Sequence, residues 1–476
     1  MDDPRLIEGD WPDPRAARDY RGVSYWLESC GDDLTPRPSL EGTLDADVAI
    51  VGAGYTGLWT AFYLLRAEPS LRVVVLEAEI AGFGASGRNG AWCDSGLNVS
   101  LGLMEKKFGF EQARAAHQLT FEAVDEVGRA TAEAGIDAGF HKGGELAVAR
   151  GRQQLPSLDH LYQEYVRFGF EDRYRLLDRD QLNDRLHIAD ALGAVNTDEC
   201  AVIHPGRLAR GLARAVERLG GTIFERTPVL EYRANDLPRV RTPGGEVRAR
   251  YLVLAGEAYL TRMSRLHRAL LPVYSLIVLT EPLDEATWRQ IGWQNRECVQ
   301  SFRLSIDYLS KTEDGRILFG GRGAPYRFGS PIRDAYDRHA PTHEMLRNMC
   351  REWFPMLKDV RFTHAWGGPL GIPRDWMPTM SLDRRSGVGR AGGYTGHGVA
   401  MTNMAGRTMT DLILERRSAL TEMPWVGHRS PSWEPEPFRW IGVRFTQEGL
   451  RLVDARAERT GEPPSGRTLP ELIARH

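Results

Sequence analysis

The sequence predicts an α/β fold combined with an α+β part, in which a domain built on a parallel sheet is interleaved with a domain built on an antiparallel sheet. A βαβ order comes first: the apolar run Asp47–Val51 is followed by a helical pattern at Thr56–Arg66 and a second apolar run at Arg72–Leu76. Alternating polar and apolar residues follow later, in segments such as Gly144–Ala149 and Arg316–Phe319. Such alternation is typical of antiparallel strands.

Further segments suit the parallel-sheet domain. We predict a helix at Gly206–Leu219, strands at Thr222–Glu225, Pro228–Tyr232 and Tyr251–Leu254, and a helix at Val399–Leu414. The predicted organisation is an N-terminal arm at 1–44, the parallel-sheet domain at 45–125, 201–269 and 361–420, the antiparallel-sheet domain at 126–200 and 270–360, and a C-terminal tail at 421–476.

Amino-acid composition argues against several classes of protein. The 476 residues carry 61 Lys and Arg against 64 Asp and Glu, so no basic surplus is available for nucleic acid or an anionic membrane surface. The five cysteines lie far apart without metal-ligand spacing, so no metal site is predicted. The N-terminal residues do not match a signal peptide, and no apolar run approaches the roughly 20 residues of a membrane span. We expect a cytoplasmic protein; its oligomeric state cannot be derived.

The strongest motif is a glycine-rich turn between the first strand and the first helix. Gly52, Gly54 and Gly57 match G-x-G-x-x-G, and Glu77 lies about 20 residues further on, at the end of the second strand. These glycines allow a tight turn, the approach of a pyrophosphate and close helix packing, and the helix N-terminus favours phosphate. Glu77 would accept both ribose hydroxyls and repel the 2′-phosphate of NADP. The alternative is a glycine turn beside a surface glutamate.

Two more glycine clusters have a structural and a functional interpretation. The segment 82–90 could form a second wall for phosphates, with the Ser86 hydroxyl and Arg88 as donors, or a surface loop. The segment 392–398 precedes the helix at Val399–Leu414. It could direct that helix N-terminus at the far end of a long cofactor, or form an ordinary turn.

These segments resemble the FAD-dependent D-amino-acid oxidase superfamily, which includes glycine oxidase and sarcosine oxidase. The resemblance covers about residues 40–415 and depends on DVAIVGAGYTGLWTA, LEAEIAGFGASGRNG, the strand around Val229, LVLAGEAY, DYLSKTEDGRILFGG, WGGPLGIPRDWMP and GGYTGHGVA. The last two motifs are most similar to the gamma-glutamylputrescine oxidase type. The resemblance implies a Rossmann-like FAD-binding domain interleaved with a substrate domain.

It also implies the residues that bind FAD. Pyrophosphate contacts fall on the first turn, a ribose contact on Glu77, flavin contacts on the second cluster, an adenine contact on Val229, and contacts to the flavin pyrimidine edge on the third cluster. The complete implied set is Gly52, Gly54, Tyr55, Thr56, Gly57, Glu77, Ala78, Gly84, Ala85, Ser86, Gly87, Arg88, Asn89, Gly90, Val229, Ala255, Gly256, Gly393, Tyr394, Thr395, Gly396, His397, Gly398 and Val399.

Three departures from the family pattern affect the chemistry. Sarcosine oxidases have a substrate-binding lysine after the Gly-His-Gly motif, where this chain has Ala400, so sarcosine is expected to be a poor substrate. They have an oxygen-activating lysine on a strand where the alignment places Leu318, so slow reaction with oxygen is expected. Their flavin-linking cysteine would fall in 371–380, which contains none, so noncovalent FAD is expected.

The implied reaction oxidises a C–N bond of a small amine or amino acid to an imine by hydride transfer to the flavin, with O2 or another acceptor restoring the oxidised cofactor. His397, Tyr308, Trp366 and Arg322 are the candidate catalytic residues, with His397 as a proton shuttle or a packing residue. Two alternatives stay open. One is a flavin dehydrogenase that uses a non-oxygen acceptor, and the other is a flavin-binding subunit without amine oxidation.

Overall fold

The computed structural model describes residues 16–234 and 237–474. Residues 1–15 of the predicted arm and the last two residues of the tail lie outside this part. The strands are β1 Gly42–Val51, β2 Val73–Leu76, β3 Trp92–Asp94, β4 Glu145–Arg150, β5 Tyr174–Asp178, β6 Ala191–Thr197, β7 Cys200–Val202, β8 Thr222–Phe224, β9 Glu231–Arg233, β10 Arg239–Arg241, β11 Gly245–Leu254, β12 Leu271–Thr280, β13 Cys298–Ser301, β14 Asp307–Lys311, β15 Ile317–Arg322, β16 Phe362–Ile372, β17 Thr379–Asp383 and β18 Val388–Gly392.

Twelve α-helices are present in the same part of the chain. They are α1 Tyr25–Glu28, α2 Tyr55–Ala67, α3 Leu101–Phe108, α4 Phe110–Glu133, α5 Leu155–Arg167, α6 Arg179–Asn183, α7 Pro205–Arg218, α8 Glu285–Ile291, α9 Ala340–Trp353, α10 Gly398–Ile413, α11 Phe438–Thr460 and α12 Leu469–Ala474. Among the helices described, we find none with the length and apolar character needed to span a bilayer.

The first sheet holds the dinucleotide-type motif. Its main strand order is β17-β18-β11-β1-β2-β8, and β18, β11, β1, β2 and β8 run parallel. Apolar side chains on both faces of the central strands explain why the runs Asp47–Val51 and Arg72–Leu76 lack alternation. Helices α2, α7 and α10 cover one face of this sheet. The carboxyl ends of β1, β2 and β11 therefore meet at one edge, where a parallel sheet binds its ligands.

The second sheet has the order β16-β12-β15-β14-β13-β4-β6-β5 and is antiparallel except for the β4–β13 pair. The predicted fold class is thereby confirmed. Two domain boundaries differ from the prediction. The sequence prediction begins the last segment of the first domain at residue 361 and so places β16 in that domain, but β16 pairs with β12 along its length. Helix α4 continues through the predicted boundary at 125/126, because its buried face packs on the first domain's core.

The described part of the arm lies over the 82–90 cluster, as the Trp26 indole N–H donates to the Asn89 carbonyl at 2.8 Å. The strand predicted at Pro228–Tyr232 begins only at Glu231. Residues 227–230 instead follow an irregular path, to which Pro228 contributes no N–H donor. The tail, for which the sequence predicted no fold, contains α11 and α12, packed against each other.

Candidate functional site

The first glycine turn has the geometry that its pattern predicts. Gly52 has φ +104, and a Cβ at this position would lie 2.9 Å from the Ala255 carbonyl oxygen. A Cβ on Gly57 would overlap the Gly52 carbonyl oxygen, so only glycine lets α2 pack this closely on the turn. The Tyr55 N–H at the start of α2 donates to the Ser86 hydroxyl at 2.9 Å, which joins the first and second glycine clusters.

Glu77 lies at the end of β2, beside the same turn. Its carboxylate accepts the Ala53 N–H at 2.7 Å and the Glu79 N–H at 3.0 Å. Burial raises the pKa of Glu77 to about 7, and these backbone donors oppose the rise. A buried carboxylate with spare lone pairs at this strand end can accept hydroxyl donors from a ligand.

A cavity of about 570 Å³, here called the inner cavity, begins at this turn. Most of the proposed cofactor residues surround it, although they come from segments far apart in sequence. Those that line it are Gly52, Gly54, Tyr55, Thr56, Glu77, Ala78, Gly84, Ala85, Ser86, Arg88, Asn89, Gly90, Val229, Ala255, Gly256, Tyr394, Thr395, Gly396, His397, Gly398 and Val399. The three glycine clusters therefore form one site in space.

Three of the proposed cofactor glycines do not line the inner cavity. They are Gly57, Gly87 and Gly393. A Cβ on Gly87 would overlap the Gly82 carbonyl oxygen, and one on Gly393, which has φ +80, would lie 2.5 Å from Pro373. These glycines let the chain pack closely behind the cavity wall. They therefore support the wall and do not line the cofactor cavity directly.

One buried polar atom beside the inner cavity lacks a protein partner. Arg88 forms an ion pair with Asp337 and donates from Nε to the Phe83 carbonyl at 2.8 Å, but its Nη2 has no partner among the described residues. Because an unmade buried hydrogen bond is costly, this atom indicates a polar ligand in the cavity. Glu257, which sequence reasoning missed, also lines the cavity, and burial raises its pKa to about 7.

A second cavity of about 1130 Å³, here called the outer cavity, lies between the second sheet and the C-terminal helices. Its lining is mixed aromatic, apolar and polar. Representative residues are Glu145, Val195, Thr197 and Gln300 from the sheet, Leu161, Glu164 and Tyr165 from α5, and Val443, Thr446, Leu450 and Ile473 from α11 and α12. The tail residues could not be assigned from sequence, because nothing local in the tail indicates which sheet it covers.

The two cavities meet at a polar junction. Six residues line both: Asp94, Asn98, Gln300, Ile306, Arg322 and His397. The junction is the place where a ligand in the outer cavity can approach a ligand in the inner cavity.

Asp94 and His397 form a hydrogen-bonded pair at the junction. The Asp94 carboxylate lies at the end of β3 and contacts His397 Nδ1 just before α10. Burial alone would lower the pKa of His397, but the Asp94 charge outweighs it and raises that pKa. The same contact outweighs the burial of Asp94 and lowers its pKa. Sequence reasoning proposed His397 but missed Asp94, since no motif connects the two.

Arg322, the last residue of β15, is an uncompensated cation at the junction. Among the described residues no carboxylate lies within ion-pair distance of its guanidinium, which donates weakly to the Thr395 carbonyl at 3.4 Å. Burial lowers the pKa of Arg322 to about 10. A buried guanidinium without a counterion is an anion-binding group.

Tyr308 lines the inner cavity and is held on three sides. Its hydroxyl lies 2.9 Å from the Ser275 hydroxyl, and a Cβ on either Gly90 or Gly320 would collide with its ring. Burial raises the pKa of Tyr308 to about 12, so the phenol stays neutral at physiological pH.

Glu145, which sequence reasoning missed, lines the outer cavity near the Asp94–His397 pair. Gln300 Nε2 donates to its carboxylate at 2.6 Å. Burial, reinforced by the charge of Asp94, raises the pKa of Glu145 to about 7. A charge at the end of a strand is ordinary in a sequence, so only the fold shows that this carboxylate is enclosed.

Three sequence-based expectations need correction. Trp366 lines neither cavity; its indole N–H donates to the Arg88 carbonyl at 3.0 Å, so it supports the cluster from behind. Leu318 is fully buried and also lines neither cavity, because Tyr25 and Trp26 of the arm cover this part of the sheet face. Ala400 is packed in the first domain's core and cannot mark a substrate contact.

Comparison with known proteins identifies the family. The family model described as FAD dependent oxidoreductase matches residues 47–412, about three quarters of the chain. This chain belongs to the FAD-dependent oxidoreductases. Within that family it is 32% identical over 428 residues to the gamma-glutamylputrescine oxidoreductase of Escherichia coli K12, covering 89% of this chain and 96% of the relative.

Two further comparisons extend this result. The chain is 29% identical over 404 residues to a probable oxidoreductase, OrdL, of Haemophilus influenzae, covering 82% and 88% of the two chains. The fold matches a crystal structure of glycine oxidase from Geobacillus kaustophilus with a TM-score of 0.67 at 21% identity, covering 82% of this chain and all of that chain. At this identity the structural match shows the fold alone.

The inner cavity of this FAD-dependent oxidoreductase has the donor set that FAD needs. The unpartnered Arg88 N–H and the Ser86 hydroxyl suit phosphate oxygens, and Glu77 suits ribose hydroxyls. The N-terminus of α10 also lines this cavity and supplies positive dipole charge there. All five cysteines lie in the described part of the chain, and none lines either cavity.

Proposed function

We propose that this chain oxidises a C–N bond of an amine or amino acid to an imine, which water then hydrolyses. Noncovalent FAD in the inner cavity would accept the hydride, and the substrate would bind in the outer cavity. The observation that carries this proposal is the junction, because it brings a proton acceptor and a cation to the one place where the two cavities meet.

His397 is proposed to take a proton from the substrate ammonium. Amines bind water as ammonium ions, and the nitrogen needs a free lone pair before its neighbouring carbon can lose hydride. Asp94 holds the Nδ1 side of the imidazole, which leaves Nε2 without a hydrogen-bond partner among the described residues. In its neutral form, His397 can therefore accept the proton at Nε2.

Arg322 is proposed to bind a negatively charged group of the substrate. It is buried, uncompensated and lines both cavities. The outer cavity, at about 1130 Å³, exceeds what a substrate as small as sarcosine fills. We therefore infer that the better substrates are longer amines that carry an anionic group, and that sarcosine is a poor one.

The acceptor that restores the oxidised cofactor is proposed to be O2 or another small oxidant. Arg322 favours oxygen, because a positive charge at the junction stabilises the negative charge that develops on oxygen as it is reduced. A cytoplasmic location is also proposed. The five cysteines are all buried free thiols, which suits a reducing compartment.

An anaerobic screen tests the proposed reaction. Purified holoprotein is mixed without oxygen with sarcosine, simple alkylamines, diamines and ω-amino carboxylic acids, and the loss of oxidised-flavin absorbance is followed. We expect the longer amines with a carboxylate to reduce the flavin fastest. Sarcosine acting faster than every longer amine would contradict the substrate class. Failure of every amine would favour a flavin-binding subunit, and reduction without reoxidation by air would favour a dehydrogenase.

A further inference from the structure

Helix α11, in the tail, forms the outer wall of the outer cavity. Many of its residues line the cavity, among them Gly442, Val443, Thr446 and Leu450. The family match ends at residue 412, before this helix begins. The wall opposite the second sheet is therefore built from a part of the chain that the family match does not include.

The helix also holds the turn between β13 and β14. Asp454 is buried, and its two carboxylate oxygens accept the N–H groups of Leu304 and Ser305 at 3.0 and 2.9 Å. The next residue, Ile306, has φ +57, a left-handed conformation that is costly for a β-branched residue. Ile306 lines both cavities, so this strained turn is part of the junction.

The β13–β14 turn also contacts Arg322, the cation of the junction. The Arg322 N–H donates to the Ile306 carbonyl at 3.3 Å. A neighbouring ion pair, between Arg303 and Glu458 of α11 at 3.2 Å, adds a second link from helix to turn. Displacement of α11 would therefore release the backbone of Ile306, whose carbonyl accepts the Arg322 N–H.

A second set of contacts fixes α11 at its other end. The Tyr326 N–H donates to Gln447 at 3.2 Å, and Gln447 Nε2 donates to the Ala324 carbonyl at 3.4 Å. The Gly329 N–H donates to Glu436, just before the helix, at 2.9 Å. The helix is thus anchored to the segments that follow both β13 and β15, on either side of the cavity.

We propose that α11 determines which substrates reach the junction. The helix is the wall that limits substrate size, and through Asp454 it supports the β13–β14 turn. The proposal rests on the proposed function, since it takes the outer cavity as the substrate site. Asp454 is a positioning residue, because it acts through the turn. Gly442 is the point of the wall at which size can be changed: a Cβ there would meet no atom within 4 Å.

Gly442→Leu tests the wall. The substitution fills open space and raises helix propensity, so the fold should be kept. Ile441→Leu, at an exposed position outside the cavity lining, is the matched control. Binding is measured by titrating the flavin spectrum of the holoprotein with acetate and with octanoate, which need no turnover. We expect Gly442→Leu to weaken octanoate relative to acetate by about tenfold or more, and the control to leave the ratio unchanged.

Asp454→Asn tests the support of the turn. We expect hydrogen exchange at the Leu304 and Ser305 amides to become faster in the holoprotein, and Asp454→Glu to restore part of the protection. The octanoate affinity should fall in the Asn variant while flavin content stays at the wild-type level. Unchanged exchange at these amides would overturn the positioning role.

The remaining outcomes separate this inference from the proposed function. If Gly442→Leu leaves the ratio of octanoate affinity to acetate affinity unchanged, the proposed role of α11 as a size-limiting wall is wrong. It is also wrong if neither acid perturbs the wild-type flavin spectrum. If the acids bind with the expected size dependence but no amine reduces the flavin, the proposed reaction is wrong and the role of α11 stands. If amines reduce the flavin but the affinity ratio does not change in Gly442→Leu, the proposed reaction stands and the role of α11 as a wall is wrong.

Discussion

Nδ1 of His397 is hydrogen-bonded to the carboxylate of Asp94, across 303 residues of sequence. The contact connects the end of β3 to the N-terminus of α10 where the two cavities meet. Because Asp94 raises the pKa of His397, it sets the pH at which Nε2 becomes available as a proton acceptor.

The first prediction concerns the pH dependence of flavin reduction. The rate with an amine should rise as pH increases through the pKa of His397, which lies above its ordinary value of 6.5. Asp94→Asn removes the larger of the two charges that raise this pKa, the other being Glu145, and leaves burial and Arg322, which lower it, so the inflection should move to lower pH. Stopped-flow measurement of anaerobic flavin reduction across pH checks the shift.

Asp45→Asn is a control for this experiment, because Asp45 is an exposed carboxylate distant from the junction. It should keep the wild-type inflection. An identical inflection in Asp94→Asn and the wild type would show that His397 is not the titrating group.

The second prediction concerns cofactor binding. A Cβ on Gly54 would lie 3.0 Å from the Ser86 hydroxyl, so the larger Gly54→Val side chain should fill the phosphate end of the inner cavity. We expect a folded protein with little bound FAD, measured as the ratio of flavin to protein absorbance alongside circular dichroism. Gly442→Ala, which adds a Cβ in open space, should retain FAD. Heat or acid should release the flavin from the wild type; flavin that stays with the precipitate would refute noncovalent binding.

The third prediction compares two positions for the charge that assists reaction with oxygen. Arg322→Met should slow reoxidation of the reduced enzyme by about tenfold or more, because Arg322 lines the junction. Leu318→Lys should not accelerate it. The buried lysine should instead lower the free energy of unfolding by more than about 2 kcal/mol. Stopped-flow mixing of reduced enzyme with aerated buffer measures the rates, and faster reoxidation in Leu318→Lys would restore the alignment-based expectation.

The fourth prediction concerns stability. The pKa of Glu145 is about 7 in the folded protein and 4.5 when solvated, so the folded state binds the proton more tightly. Stability should therefore fall as pH rises between these values, by up to about 3 kcal/mol from this group. Glu145→Gln keeps an acceptor for Gln300 without the charge and should be more stable than the wild type at about pH 8 but not at about pH 5.

Thermal unfolding of the two proteins at both pH values checks the fourth prediction. Glu285→Gln on α8, at a side chain that is 94% exposed, serves as the control and should unfold like the wild type at either pH. An equal difference between Glu145→Gln and the wild type at the two pH values would contradict the assigned titration.

The cofactor half of the site was accessible from sequence because backbone geometry restricts residue choice. Gly52 requires a positive φ, and Gly57 requires close helix packing, so both leave a local pattern. The apolar runs before and after this turn then place it at the edge of a parallel sheet. The same logic located the third cluster, which precedes α10.

The substrate half was not accessible in this way, because its residues are ordinary ones brought together by the fold. Asp94 and Glu145 have no local signature, and α11 reaches the site only through tertiary packing. Alignment gave the position of Leu318 along β15 but not its cover by Trp26 of the arm. The chemistry of this half depends on contacts between distant segments, which a single sequence does not encode locally.

The inner cavity is lined both by Gly54 and by Val399, which lie near opposite ends of the matched region in sequence. A ribosome must therefore complete α10 before the cavity exists, and the flavin can be captured only late in synthesis or after release. Until then the polar groups of the cavity are solvated and the first domain is missing one of its covering helices. Once bound, FAD links the early and late segments and adds its binding free energy to the stability of the folded chain.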